Sequence, residues 1–237
     1  MWSLYWEYYV MGIILLPGII LSIYAQSKVT STFKRYSESF AECGKTAGEI
    51  ARLFLDNAGL SHIKVKKIRG NLTDNYNHSQ QTVSLSEDVY DSTSVSAIGV
   101  ACHEVGHALQ YKTKYLPISL RNFMIPVFNI SNRFVMFLLI LGIIFSSFPF
   151  GMTMIWIGIG IFALSILINV ITLPVEYNAS NRALKLLENS TILSQSEVKQ
   201  ASKVLSAAAL TYVAALVVSI LSLLRLIIVV FRRVDND

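Results

Sequence analysis

Between Arg133 and Glu176 the chain carries no charged residue: residues 134–174 read "FVMFLLILGIIFSSFPFGMTMIWIGIGIFALSILINVITLP". Some forty residues at about 1.5 Å each give a helix of about 60 Å, roughly twice the hydrocarbon core of a bilayer. "SSFPFG" (146–151) interrupts the run near its middle, so it reads as two antiparallel spans joined by a tight turn. A further apolar run, 207–224, reaches Arg225, and "RLIIVVFRR" beyond it either continues the span or lies in the interface. At the N-terminus Trp2, Tyr5, Trp6, Tyr8 and Tyr9 form an interfacial aromatic belt leading into a span at about 9–25. Pro17 and Gly18 bend that span, which a transmembrane helix tolerates. The alternative, a cleaved signal, lacks its basic start, because only Glu7 precedes the apolar run. The pattern predicts about four transmembrane helices. Apolar residues at 53%, charged residues at 15% and a mean hydropathy of +0.51 argue against an ordinary soluble domain.

The positive charges orient these spans. Residues 26–133 carry thirteen Lys and Arg, and 175–206 carry Arg182, Lys185, Lys199 and Lys203, whereas the 146–152 turn has none. One crossing followed by a hairpin puts both basic blocks on the same side, which the positive-inside rule makes the cytoplasm. Arg232 and Arg233 then lie outside, offset by Asp235 and Asp237. The net charge of +5 and pI near 9.2 are explained by this scatter beside apolar spans, and no nucleic-acid partner is expected. Cys43 and Cys102 are distant and form no CxxC pattern, so a reducing compartment fits. Cys102 points about 100° away from His103 on a helix and reads as a small buried residue.

The boundaries that follow are a first transmembrane helix at 1–26, a folded polar region at 27–122, a transmembrane hairpin at 123–174, a polar helix at 175–206 and a last helix with tail at 207–237. Within the polar region "SESFAECGKTAGEIARLFLDNAGL" (37–60) predicts an amphipathic helix ended by Gly59. "IKVKKIRG" and "QTVSLSE" predict short strands around a turn at "NLTDNYNHSQ". "SVSAIGVACHEVGHALQYK" is helical by pattern.

That last helix holds the chemistry. Residues i and i+4 share a helical face, so His103 and His107 can place two imidazole nitrogens on one ion, about 2.0–2.1 Å from zinc. Glu104 projects beside them, where a carboxylate can take a proton from an attacking water. Gly106 and Ala108 keep the helix slim for close packing. A catalytic zinc takes three protein ligands and an open position. His62 and His78 sit in polar turns and read as solvated. Glu176 is the better third ligand, because the topology returns it to the motif's side. A carboxylate just past a long uncharged span is costly unless paired or metal-bound. An interfacial Glu solvated by water is the alternative. Pro174 suits the first turn of a helix beginning there, on which Ser180, one turn after Glu176, could support it.

"GNLTDNYN" (70–77), "VSLSEDVY" (83–90), "GVACHEVGHALQ" (99–110) and "LPVEYNASNRAL" (173–184) occur in this order. With the four spans around them, they resemble the YugP-type family of membrane-bound neutral zinc metallopeptidases over essentially the whole chain. That family is similar to the HtpX and CAAX-prenyl-protease type of membrane zincin, whose third ligand is the Glu of E-x-x-A-D. On this chain that Glu falls on Glu176 and the Ala on Ala179, while Ser180 stands in the Asp position. The resemblance implies a mainly α, polytopic membrane protein of about four transmembrane helices with a small α+β zincin-like cytoplasmic region carrying the HExxH helix. It implies a zinc (Zn2+) endopeptidase, with His103, His107 and Glu176 as metal ligands and Glu104 as catalytic base. The partners expected are the lipid bilayer and a peptide or membrane-protein substrate. The strand "TVSLS" (82–86) is placed to align a substrate backbone, and Tyr76 and Arg182 are the candidate oxyanion stabilisers. Two other readings stand beside this one. One is a non-catalytic zinc-stabilised membrane scaffold. The other is a site-2-type intramembrane protease, which needs an Asp in a later span and finds none.

Overall fold

The computed structural model describes residues 12–145 and 147–234. Helix α1 (Leu16–Ser37) is followed by α2 (Ala47–Asn57), strands β1 (Lys64–Ile68), β2 (Asn75–Asn77) and β3 (Thr82–Ser86), and a short α3 (Glu87–Tyr90). Four long helices complete the chain: α4 (Val95–Lys112), α5 (Leu116–Ile144), α6 (Pro149–Glu188) and α7 (Gln195–Val234). Ala25–Ser119 and Pro174–Leu210 form one compact unit, and the remaining described residues form a second.

In the first unit, local chemistry sets where α2 starts and stops. Thr46 accepts the Glu49 amide at 3.2 Å and Glu49 accepts the Thr46 amide at 2.8 Å, a reciprocal capping box. At the other end Gly59 takes φ +68°, its amide bonds Asp56 and the Leu60 amide bonds the Leu55 carbonyl at 2.8 Å. That pair of bonds is a Schellman motif, and Gly59 supplies the left-handed residue it needs. The helix is therefore shorter than the 37–60 expected from pattern. Residues 38–46 are not helical: Gly44 takes φ +64°, and Phe40 makes a lone bridge to Ser94. Thr46→Ala should cost about 0.5–2 kcal/mol, read as a lower melting temperature of the detergent-solubilised protein. An unchanged melt would mean that packing alone fixes this end.

The inner face of α2 (Ile50, Ala51, Phe54 and Leu55) packs in one core with Val83, Leu85, Ile98, Val105 and Leu187. The sheet has order β1-β3-β2, with β1 parallel and β2 antiparallel to β3. The two expected strands are present, but the stretch expected as a turn holds a third, β2. The chain leaving β1 passes through Gly70 and Leu72, both at positive φ, and returns on the far side of β3. Such a return is what lets β1 and β3 run parallel, since parallel neighbours cannot be joined by a tight hairpin.

The second unit is built from apolar helix. Among the described residues three helices are long and apolar enough to cross a membrane: Leu116–Ile144, Pro149–Glu188 and Gln195–Ile228. The predicted first span falls in part on residues 1–11, outside the described residues. Phe134, Phe137, Ile140, Trp156, Ile157 and Leu167 are exposed, as side chains facing lipid are. A Cβ on Gly158 would lie 2.5 Å from Leu139, so α5 and α6 meet where a side chain is missing. Asn169 donates to the Ser219 hydroxyl at 2.8 Å, tying α6 to α7.

One expectation about a helix end is corrected, and one left open is narrowed. Pro174 lies inside α6 and does not open a new helix. Proline removes one backbone donor, a loss that long apolar helices accommodate locally. The 40 residues of α6 make a helix of about 60 Å, longer than a single span needs. The last apolar run also continues without a break through Arg225, as one helix to Val234.

Candidate metal centre

Helix α4 begins where Ser94 accepts the Ala97 amide, and twelve of the sixteen residues from Val95 to Gln110 are buried. It is not one of the three helices of spanning length and apolarity. His103 and His107 lie one turn apart on it, with ring centroids 4.7 Å apart and planes at 86°. Helix α6 brings Glu176 to them. Its Oε2 lies 3.2 Å from Nε2 of His103 and 3.5 Å from Nε2 of His107, with side-chain exposures of 15%, 12% and 3% for His103, His107 and Glu176. One ligand atom from each residue falls within 4.8 Å of the others. Among the described residues they form the one such group of three His, Cys, Asp or Glu.

Contact this close needs a gap in the side chains. A Cβ on Gly106 would stand 2.4 Å from the carbonyl oxygen of Ala179, so the two helices touch backbone to backbone there. Three residues before Ala179 on the same helix, Glu176 then reaches both imidazoles.

The far nitrogens of the two rings are held as well. Nδ1 of His107 lies 3.0 Å from Oε1 of Gln110, and Nδ1 of His103 lies 3.1 Å from the Ser180 hydroxyl. Gln110 is fully buried, and its Nε2 donates to the Val175 carbonyl at 2.7 Å and to Oδ1 of Asn178 at 3.2 Å. With both amide hydrogens committed, Gln110 can only present its oxygen to His107, which must carry its proton on Nδ1. Nε2 of His107 is then the nitrogen turned towards Glu176, the one from which the ring would bind a metal. Ser180 thus supports His103, where the sequence suggested support for Glu176.

This donor set fits a zinc ion. Ligand atoms at about 2.0–2.1 Å in a tetrahedron stand about 3.3–3.4 Å apart, and the two measured separations bracket that value. Two neutral imidazoles and one carboxylate also leave a fourth position open.

Glu104 is buried beside the triad, 7% exposed. Burial pushes its carboxyl above the ordinary carboxylate range, against the pull of His107 and His103. For His107 burial disfavours the charged ring, but its hydrogen bond to Glu176 and the nearby Glu104 charge outweigh that and raise its pKa. Burial likewise raises the thiol of Cys102, which is a neutral core residue.

The other candidates are engaged elsewhere. The Tyr76 hydroxyl lies 3.3 Å from Nδ1 of His78, and burial followed by Tyr111 raises its pKa to about 12. His78 itself stacks on Tyr111 at 3.8 Å. Arg182 donates to Asn178 and to the Leu109 carbonyl, and lies over the Tyr115 ring. His62 is exposed in the loop before β1, outside the ligand group. Strand β3, expected to align a substrate, is paired along both edges, with β1 and with β2. β1 and β2 are the two edge strands of the sheet, and β2 is the one that packs on α4. Gln110 and Asn178 went unremarked in the sequence, although a glutamine three residues after His107 on a buried helix lies on nearly the same face.

Fold and site together define a class: a helical protein with spanning-length helices and a His–Glu–x–x–His helix completed by a carboxylate from a later helix. The chain belongs to the family described as "Putative neutral zinc metallopeptidase", whose model matches residues 11–231. It is 42% identical over 217 residues to "Putative membrane protease YugP" of Bacillus subtilis (strain 168), covering 92% of this chain and 95% of that one. No solved structure matches it.

Proposed function

We propose that this chain is a membrane-integral zinc endopeptidase that hydrolyses peptide bonds of membrane proteins or membrane-bound peptides near the cytoplasmic face. The observation that carries this is the arrangement at Glu176. Two imidazole Nε2 atoms converge on one buried carboxylate oxygen while both Nδ1 atoms are tied back by Gln110 and Ser180. His103, His107 and Glu176 would hold the zinc. When bound, the ion lowers the pKa of a water towards neutrality and polarises the scissile carbonyl.

The chain's own residues do the rest. Glu104 accepts the proton of the attacking water and returns it to the leaving amine. Its burial favours that task, because a carboxyl held above its ordinary range is a stronger base. The free edge of β2, residues 75–77, offers backbone groups on which an extended substrate can add as a further strand. The cytoplasmic side rests on the Lys and Arg distribution of 26–133 and 175–206. The lipid bilayer is the one permanent partner in this reading, and nucleic acid has no part in it.

The test is made on the full chain, purified in detergent without added metal. Elemental analysis should find about one zinc per chain. Cleavage of a quenched peptide library should stop with 1,10-phenanthroline and return with added zinc. A preparation that cleaves peptides while free of zinc, or holds zinc without any dependence of cleavage on it, overturns the proposal.

A further inference from the structure

Helices α2, α4 and α6 and residues 189–192 line an open cleft of about 630 Å³ that none of the three candidate metal-binding residues lines. That volume suits a small organic ligand. Leu53 and Phe54 of α2, Leu109 of α4 and Leu186 of α6 give it an apolar floor, and Arg182 and Lys185 of α6 bring two positive charges to it. Residues 189–191 close the rim with amide and hydroxyl groups, and no Asp or Glu lines the cleft. Among the described residues neither cation forms an ion pair. Leu109 lies two residues beyond His107, about 200° round the helix, so the cleft opens on another face of α4 from the imidazoles. Cations without carboxylate partners over a hydrocarbon floor select a molecule that is anionic at one end and apolar at the other.

Arg182 also connects the cleft to the metal centre. Its Nε donates to Oδ1 of Asn178 at 2.7 Å, and the same oxygen accepts Nε2 of Gln110 at 3.2 Å. Oε1 of Gln110 in turn holds Nδ1 of His107 at 3.0 Å. A head group that draws Arg182 into the cleft takes it from Asn178 and loosens the amide that orients His107.

We infer that this cleft is a regulatory site for an anionic amphiphile, a phosphate or carboxylate head on a short hydrocarbon tail, whose binding weakens the hold of His107 on the metal. The second half rests on the zinc reading above. Linkage then requires that zinc weaken amphiphile binding by the same factor.

Octyl phosphate is the probe, titrated by calorimetry into the full chain in phosphatidylcholine nanodiscs, with empty nanodiscs subtracted. Saturable binding of one molecule per chain is expected, with inorganic phosphate and octanol each weaker by about tenfold or more. Lys185→Glu should lower the affinity by about tenfold or more, and Arg182→Gln likewise. Lys185 is exposed in the last turn of α6, so its variant reports on binding even where loss of Arg182 from the Leu109 carbonyl unfolds the site. Zinc release to a chromophoric chelator should quicken by about fivefold or more on saturation in the native chain, and not in Lys185→Glu. Nanodiscs doped with phosphatidic acid separate the sources. Loss of the titration marks a bilayer lipid as the natural occupant and its persistence marks a soluble amphiphile, both of which support the site.

Absence of saturable binding overturns the inference. So does equal binding of octanol or of inorganic phosphate, or unchanged affinity in Lys185→Glu. An unchanged rate of zinc release overturns the coupling. Binding by a chain that proves to hold no zinc leaves the cleft standing and rejects the metal reading instead.

Discussion

Glu104→Gln is expected to keep its zinc and lose turnover by about 10²–10⁴-fold, the usual contribution of a positioned general base. The amide has nearly the same volume, so the packing of a buried α4 is preserved, and only the proton acceptor is lost. The carboxyl is also costly to hold charged at this depth, where burial opposes its ionisation. Its replacement by a neutral amide should therefore leave the melting temperature equal or higher while activity falls. Stability and catalysis moving apart in this way separates a base from a structural residue. The measurements are kcat on a cleaved peptide, zinc per chain by elemental analysis, and a melt. Turnover near that of the native chain, with zinc retained, would place the base elsewhere. Loss of zinc would mean that Glu104 acts through the ligands. The scaffold reading differs in cells, where a chain lacking Glu104 but keeping its zinc should complement fully while a His103 variant should not.

The two histidines were legible because their relation is local: four residues on a helix fix a shared face whatever the rest of the chain does. Glu176 is not local to them. The sequence reached it through the charge map and a family resemblance, and the structure brings its Oε2 to 3.2 Å from His103. The three described helices of spanning length and apolarity were legible as long apolar runs, because crossing a bilayer requires that length. What escaped depended on tertiary contact. β2 is three residues, Asn-Tyr-Asn, too short to show alternation, and exists only by pairing with β3. Pro174 reads locally as a helix start, yet α6 continues through it as one helix. The start of α2 lies ten residues later than 37, because residues 38–46 are not helical and the Thr46 capping box opens the helix. The Gln110–Asn178 pair needs two helices in register before either residue has meaning. In the site itself, then, the three converging side chains and Ser180 were visible, while Gln110 and Asn178 were not.

Gly106→Ala should dismantle the site, although within an isolated helix the same change is favourable. Alanine gains about 1 kcal/mol over glycine in a helix interior. Here the added Cβ would stand 2.4 Å from the Ala179 oxygen, 3.0 Å from its carbonyl carbon and 3.2 Å from its Cα. All three are backbone atoms of α6, so no side chain can swing aside, and the helices must separate. Overpacking of this kind costs about 1–3 kcal/mol or more, which exceeds the propensity gain. The geometric cost is larger still, since a shift of about 1 Å removes Glu176 from ligand distance to both imidazoles. The expected result is a lower melting temperature and a zinc affinity reduced by about tenfold or more, read by competition with a chelator. Gly160→Ala is the internal control, because a Cβ there meets nothing within 4 Å and only the propensity gain remains. That variant should melt at or slightly above the native temperature with its zinc in place. If Gly106→Ala behaved in the same way, the close approach of α4 to α6 would not be what delivers Glu176 to the histidines, and the site would need another anchor.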